Sequence, residues 1–293
     1  EDLRIGNDII KQQVDIYRRL RNTLRYILGN LGKFKPSERV PFESMPELEQ
    51  LILHRVWEMD KALRTACDNF EFHTYFFELH NFCTVDLSAF YFDIRKDSLY
   101  CDTTDSACRR AARTVLDTLF NCLTSWFAPF ICFTAEEAWL ARYPTLKSTD
   151  SIHLQTFPII SSEWQNDSLA SNWETVRQLR KIVTSAIEEK RTSKLIGSSL
   201  QAKITIFTKK EYKNILSKLD LAEIFITSRV AMSEEEAPES AYRSPDLSDF
   251  AVIVEKAPGL KCERCWKVLE EVGKDTEYSD ICCRCLESPP APA

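Results

Sequence analysis

Four cysteines near the carboxyl end of the sequence have the spacing of a metal site. They form two Cys-x-x-Cys pairs, Cys262 with Cys265 and Cys282 with Cys285, and sixteen residues separate the pairs. Each pair presents two sulfur atoms from one tight turn, and two such turns complete the tetrahedral four-thiolate shell that Zn²⁺ prefers in closed sites. The sequence therefore predicts one zinc ion with a structural role, since four thiolates leave no open position for catalysis.

Other interpretations of these cysteines stay open from the residues alone. The pairs could form two disulfides or a redox-active dithiol, although nothing else in the chain indicates an oxidising compartment. Cys283 lies inside the second pair, and because Cys282 with Cys285 repeats the gap of the first pair, we predict that Cys283 is a free neighbour. The six other cysteines lie among apolar residues, as reduced core thiols do, which favours a reducing, cytoplasm-like compartment: Cys67, Cys83, Cys101, Cys108, Cys122 and Cys132.

Two side chains next to the first pair could contact nucleic acid. Arg264 and Trp266 flank Cys265, and a metal ligand holds its neighbours rigidly. An indole can stack on a base, and a guanidinium can donate hydrogen bonds to a phosphate or a base edge. The alternative is that Trp266 covers the metal as a miniature core.

Basic residues are concentrated in two parts of an acidic chain. The net charge is −6, yet residues 1–35 hold eight basic and four acidic side chains. Arg18, Arg21 and Arg25 are three and four residues apart, so they share one face of a helix. A second basic cluster comprises Arg177, Arg180, Lys181, Lys190, Arg191 and Lys194. Such clusters favour phosphate contacts, because cations at phosphates release counterions; the alternative is an ordinary solvated surface.

The sequence has few of the residues that catalysis needs. It contains four histidines and six glycines, with no glycine-rich phosphate loop, no G-x-S-x-G and no H-E-x-x-H. No apolar run approaches the length of a membrane span, and the N-terminal residues lack signal-peptide character. These patterns predict a binding module with a zinc appendage, not a self-contained enzyme.

The elements that position these residues are mainly helical. Apolar residues recur every three or four positions in five stretches, which predict a bundle of amphipathic helices: 7–31, 46–63, 72–90, 105–127 and 134–143. In the first stretch the apolar stripe consists of Ile10, Val14, Tyr17, Leu24, Ile27 and Leu31.

The pattern changes after Pro158. A helix is predicted at 171–191 and a short one at 211–219, with strands at 200–207, 224–230 and 251–254 and a loop at 233–249. The predicted fold is mainly α: a helical bundle (1–158), a small α+β domain (159–257), and a four-cysteine zinc finger with a frayed tail (258–293).

Several blocks of this sequence resemble one protein family. The opening helix, with Tyr17-Arg18-Arg19-Leu20-Arg21-Asn22-Thr23-Leu24-Arg25-Tyr26, resembles the anticodon-binding domain of class Ia aminoacyl-tRNA synthetases. Other blocks are similar to the bacterial-type isoleucyl members: Met45-Pro46-Glu47-Leu48, Tyr91-Phe92-Asp93-Ile94-Arg95-Lys96-Asp97, Phe127-Ala128-Pro129-Phe130, Ile196-Gly197-Ser198-Ser199-Leu200-Gln201-Ala202 and the two cysteine pairs. The family's ATP signatures, His-x-Gly-His and Lys-Met-Ser-Lys-Ser, are absent.

The resemblance implies a tRNA-recognition segment from the C-terminal region of such an enzyme. It implies that Arg18, Arg21 and Arg25 contact phosphates of the anticodon arm of isoleucine tRNA, and that Arg264 and Trp266 contact bases or backbone. It further implies a cytoplasmic monomer whose separate catalytic domain uses ATP and Mg²⁺ to attach isoleucine, so that this segment alone is inactive. Two alternatives are a zinc-finger nucleic-acid-binding module of another class, such as that of DNA-repair glycosylases, and a structural helical interaction protein.

Overall fold

The structure is a computed structural model that describes residues 5–145, 150–245 and 247–288. It contains two compact units, and each is interrupted in sequence. The first unit comprises Glu1–Asp93 and Ala107–Asn166, and the second comprises Ile94–Ser106 and Asp167–Ala293. The three predicted domains, 1–158, 159–257 and 258–293, stay a prediction. The predicted frayed tail lies, from residue 289 onward, outside the described residues.

The first unit is built from helices. They are α1 (Asn7–Asn30), α2 (Glu47–Asp68), α3 (Phe72–Asn81), α5 (Ala107–Phe127) and α6 (Cys132–Arg142). A π-helical stretch, Phe82–Phe92, continues α3 and leads into α4 (Asp93–Cys101). The core of the unit is aliphatic and aromatic, with Ile52, Val56, Leu116, Phe120 and Trp126 fully buried. These helices confirm the predicted α-helical bundle, because apolar residues at helical spacing from several of them pack together in one core.

The first half of α1 departs from its sequence pattern. Burial along the helix begins at Leu20 and continues through Leu24 and Ile27. Ile10 and Val14, which belong to the same predicted stripe, are 52% and 57% exposed. The apolar stripe is therefore continuous in sequence, but its first half has no covering element within the described residues of the first unit.

The second unit combines a sheet with helices. Its sheet has the strand order β2-β1-β4-β3, formed by β1 (Ala202–Thr208), β2 (Arg229–Ser233), β3 (Tyr242–Arg243) and β4 (Phe250–Lys256). β1 pairs parallel with β2 and antiparallel with β4. Strict alternation of buried and half-buried residues along β1 confirms its predicted half-buried character. The long helix α7 (Asp167–Thr192) packs against β4.

Two local predictions in this unit were wrong. The predicted strand 224–230 begins instead as the end of a helix, α9 (Leu221–Phe225), and the strand starts only at Arg229. Ile226 takes a left-handed conformation with φ of 55° and ends the helix. The predicted loop 233–249 contains β3, which pairs with β4. The short helix α8 (Lys210–Leu216) lies where it was predicted.

The finger forms the end of the second unit. A short hairpin of β5 (Leu260–Lys261) and β6 (Val268–Leu269) carries the first cysteine pair, and α10 (Cys283–Glu287) carries the end of the second.

Among the helices of the described residues, none has both the length and the apolar character needed to cross a membrane.

Candidate metal centre and nucleic-acid interface

The structure gathers the four predicted metal ligands into one cluster. The sulfur atoms of Cys262, Cys265, Cys282 and Cys285 all lie within 4.8 Å of one another, and all four residues are buried. The turn after Cys262 closes when the Trp266 N–H donates to the Cys262 carbonyl at 2.9 Å. The second pair begins at the N-terminus of α10, where the Cys282 N–H points at the Cys262 sulfur at 3.4 Å.

The distances in this cluster fit a zinc ion and not a disulfide. The Cys265 and Cys282 sulfur atoms are 3.8 Å apart. A disulfide requires about 2.05 Å, whereas a tetrahedron with Zn–S bonds of about 2.3 Å has edges of about 3.8 Å. All eleven cysteines are free. The residues present therefore fit Zn²⁺ as a closed structural site.

The electrostatics of the thiols lead to the same conclusion. Burial and the neighbouring thiols raise the pKa of Cys265 to about 12, although the Lys267 N–H opposes this. Burial would also raise the pKa of Cys262, but N–H groups of Cys265, Cys282 and Arg264 outweigh it and lower the pKa to about 7. The backbone thus favours the Cys262 thiolate, whereas burial raises the pKa of the Cys265 and Cys285 thiols, and a bound Zn²⁺ would supply the positive charge that lets them ionise.

The fifth thiol lies outside this cluster. Cys283 is exposed, and its backbone N–H donates to the Glu271 carboxylate at 3.2 Å. Its sulfur does not belong to the group of four. The apolar residues that pack against the ligands are Cys101, Val272, Leu269 and Ile281.

A charged contact joins the finger to α4 within the second unit. The Arg284 guanidinium donates to Asp97 at 2.7 Å and to Asp102 at 3.4 Å. Burial would lower the pKa of Arg284, but the two carboxylates outweigh it and raise the pKa. Lys267 adds a longer contact to Asp97 at 3.9 Å. We call Arg284, Asp97 and Asp102 the finger clamp.

The finger clamp was not predicted from the sequence. Arg284 lies 182 and 187 residues from its two partners. The only available signal was its position in the Cys-x-Arg-Cys repeat, where the metal ligands fix its orientation. No sequence periodicity links it to Asp97 or Asp102.

Arg264 is engaged within the finger. Its guanidinium donates to the Cys285 carbonyl at 2.8 Å and to the Tyr100 carbonyl at 3.3 Å. These bonds connect the first cysteine pair with α10 and α4. They account for an arginine at this position without an RNA contact, so its predicted role in tRNA binding stays a prediction.

Trp266 presents its ring to solvent. It has a left-handed backbone, with φ of 65°, and 59% of its surface is exposed. The Lys261 ammonium lies 5.8 Å from the centre of the indole. Both predicted roles of the ring, stacking on a base and covering the metal site, stay predictions.

The three predicted arginines of α1 lie on the surface of the first unit. Arg18 pairs with Asp15, one helical turn earlier, at 2.9 Å. Arg21 lies 4.0 Å from Glu137. The side chains of both pairs are well exposed, so both pairs are weak. Arg25 is exposed and has no acidic partner within 4.0 Å in the described chain. The helix thus brings Arg18, Arg21 and Arg25 together in the first unit, while Arg264 and Trp266 belong to the second.

The chain belongs to the family described as "Anticodon-binding domain of tRNA ligase", which matches residues 49–206. A second family, described as "Zinc finger found in FPG and IleRS", matches residues 259–287. The chain is 47% identical over 287 residues to an isoleucine–tRNA ligase of Gluconobacter oxydans, covering 98% of this chain and 29% of that protein. It is 44% identical over 285 residues to that of Agrobacterium fabrum, covering 97% and 29%.

These similarities confirm the predicted resemblance to the C-terminal region of isoleucyl-tRNA synthetases. The chain spans about 29% of the length of these relatives. The relatives are enzymes by name.

Proposed function

We propose that this chain is the tRNA-recognition part of an isoleucine–tRNA ligase and that it holds the anticodon arm of isoleucine tRNA. The observation that supports this most directly is the match to anticodon-binding domains, which covers residues 49–206. A rigid scaffold of helices suits the task, because loop bases that are splayed out can meet fixed stacking and hydrogen-bonding groups.

The arginine face of α1 is the proposed phosphate-binding surface in the first unit. Arg18 and Arg25 are one heptad apart and both are exposed, so their charges are available to an RNA backbone. The pair of Arg18 with Asp15 contributes little to stability, since it is a surface pair, and a phosphate can replace it. In an acidic chain, RNA binding depends on such local concentrations of positive charge.

Trp266 is the proposed base-stacking residue in the second unit. Its ring is exposed, its backbone is fixed by the hydrogen bond to Cys262, and Lys261 adds positive charge beside the indole. A rigid exposed aromatic ring loses little entropy when a base stacks on it. The single structural zinc ion serves this role indirectly, because it holds the turn that carries Trp266.

The chemical step belongs to another part of the parent protein. Neither ATP signature occurs in this sequence, so ATP and Mg²⁺ are used by a catalytic domain of the same polypeptide. This chain alone has no isoleucine-dependent pyrophosphate exchange and no aminoacylation activity. Its eleven free cysteines favour a reducing, cytoplasmic location, and we propose that it acts as a monomer.

Binding of labelled isoleucine tRNA to the zinc-loaded chain tests the arginine face. Arg18→Ala, Arg21→Ala and Arg25→Ala should each weaken binding and lower the slope of log K against log salt by roughly 0.7–0.9, as expected for one lost phosphate contact. Lys210→Ala, an equally simple charge loss in the second unit, serves as the control. Equal effects of all four variants would remove the special role of α1. Tighter binding to duplex DNA than to tRNA would favour a DNA-directed finger.

A second test separates stacking from metal protection. Trp266→Ala should reduce tRNA affinity by about 1–3 kcal/mol with little change in salt slope, while zinc content stays at one per chain. Trp266→Phe keeps an aromatic face and should recover much of the loss. Loss of zinc in Trp266→Ala would instead assign the ring to protection of the metal.

A further inference from the structure

A basic cavity lies where α7 ends beside the last residue of β4. Its volume is about 540 Å³ and it opens to solvent. Arg191, Lys194 and Lys256 line it, together with one acidic residue, Glu188. The cavity lies wholly within the second unit.

The cations of this cavity are incompletely neutralised. Arg191 pairs with Glu188 at 2.6 Å. In the described chain, neither Lys194 nor Lys256 has an acidic group within 4.0 Å of its ammonium. The cavity lining therefore carries two more positive than negative charges, in a chain whose net charge is −6.

The backbone holds the two lysines in place. α7 ends at Thr192, and Lys194 takes a left-handed conformation with φ of 60°. Gln201 joins the two walls: its side chain accepts from the Gly197 N–H at 2.7 Å, and its carbonyl accepts from the Ala257 N–H at 2.7 Å. The cavity is thus formed by fixed main chain, and only the ends of the lysine side chains are free to adjust.

Lys194 occupies a position where glycine is the usual residue. A left-handed residue just after a helix is commonly glycine, because a side chain there costs about 1 kcal/mol. A cation after a helix also interacts favourably with the carbonyl end of the helix. Here, however, those carbonyls already accept from Ser193, Lys194 and Leu195 N–H groups, and Lys256 comes from the sheet. Helix capping therefore does not explain the cavity.

We propose that this cavity binds a backbone phosphate of the bound tRNA. The inference rests on the proposed function and adds a phosphate site that neither the α1 arginines nor the finger provides. The ammonium groups of Lys194 and Lys256 approach the phosphate from opposite walls. Leu195, which is 48% exposed at the rim, lies against the adjoining sugar.

A double variant, Lys194→Gly with Lys256→Gln, tests the proposal in the full chain loaded with zinc. Glycine relieves the left-handed residue, so the variant should keep its thermal stability. Binding of isoleucine tRNA at 0.1 M salt should fall by about 6-fold, and the salt slope by about 0.8, as expected for the loss of one phosphate contact. Lys210→Gln with Lys218→Gln removes the same charge elsewhere in the unit and should change affinity less than threefold.

The possible outcomes separate the site from the general function. Tight binding by the unaltered chain together with an unchanged double variant would overturn the site and leave the proposed function standing. Absence of tRNA binding by the unaltered chain would overturn both. A second experiment titrates the chain with inorganic phosphate and follows the amide signals of residues 194–197 by NMR. It shows whether the cavity binds a free phosphate ion. If phosphate binds there while the double variant keeps full tRNA affinity, the cavity is a small-anion site and the tRNA assignment is wrong.

Discussion

Replacement of Arg284 by alanine should loosen the attachment of the finger to α4. The guanidinium joins Asp97 at 2.7 Å and Asp102 at 3.4 Å, and its side chain is 35% exposed. A hydrogen bond between charged groups contributes about 1.5–3 kcal/mol when it is buried and about 0–1 kcal/mol at the surface. For this partly buried pair, we expect a loss of about 2 kcal/mol in the unfolding free energy of the second unit.

Two features of the structure set this value. Removal of Arg284 leaves two partly buried carboxylates close together, which raises the loss. Lys267 remains 3.9 Å from Asp97 and keeps one positive charge beside it, which limits the loss of stability. A double-mutant cycle separates the contributions, because the coupling of Arg284→Ala with Asp97→Asn should exceed its coupling with Asp102→Asn, in the order of the two distances.

The assay is urea denaturation of the zinc-loaded chain, combined with hydrogen exchange of amides in residues 260–287. Arg229→Ala is the matched control, because Arg229 forms a longer pair with Glu270 at 3.8 Å and both side chains are more than 60% exposed. It should change the unfolding free energy by less than about 0.5 kcal/mol. If Arg284→Ala changes the unfolding free energy as little as the control does, or if its coupling to Asp97→Asn is zero, the finger clamp does not stabilise the second unit and this prediction is refuted.

Three further predictions concern the metal centre and the core. Cys282→Ser should abolish stoichiometric zinc and unfold residues beyond 258 while the bundle keeps its helical circular dichroism; Cys283→Ser should keep one zinc per chain, and zinc loss there would reassign the ligands. Gly259→Ala should destabilise the finger by about 2 kcal/mol or more, because Gly259 has a φ of 108° and an added Cβ would lie 2.2 Å from the Leu269 carbonyl oxygen. The rate of zinc release to a chelator should rise, and an unchanged rate would contradict the prediction. Tyr75→Phe should reduce the unfolding free energy by about 1–2 kcal/mol, because the buried Tyr75 hydroxyl donates to the Trp126 carbonyl at 2.9 Å; urea denaturation with a change under 0.3 kcal/mol would show that water replaces the bond.

The sequence predicts the parts of this molecule that depend on local spacing. Helical periodicity located the bundle, and the two Cys-x-x-Cys pairs located the metal ligands, because in both cases neighbours in the chain are neighbours in space. The start of β2 was harder to predict. Ile224 and Phe225 suit either a strand or a buried helix, and periodicity does not distinguish the two in so short a run.

The features that were missed depend on distant contacts. The apolar spacing in α1 predicts which face could be buried, but not that Ile10 and Val14 are exposed among the described residues of the first unit. The hydrogen bonds of Arg264 to carbonyls in α4 and α10 could not be predicted either. The sequence around an arginine beside a metal ligand does not show which distant carbonyl groups its guanidinium will contact. Both cases require the tertiary structure.

The interrupted second unit has a consequence for the order of synthesis on the ribosome. Residues 94–106 emerge about 180 residues before α10, which carries their partner Arg284. At roughly 5–20 residues per second, α4 waits roughly ten to forty seconds for the finger. During that interval Asp97 has no Arg284, and Cys101 has no cysteine cluster to pack against. Zinc capture by the four cysteines thus follows the synthesis of α4 by that interval, and a shortage of zinc at that moment leaves α4 without its contact to the finger.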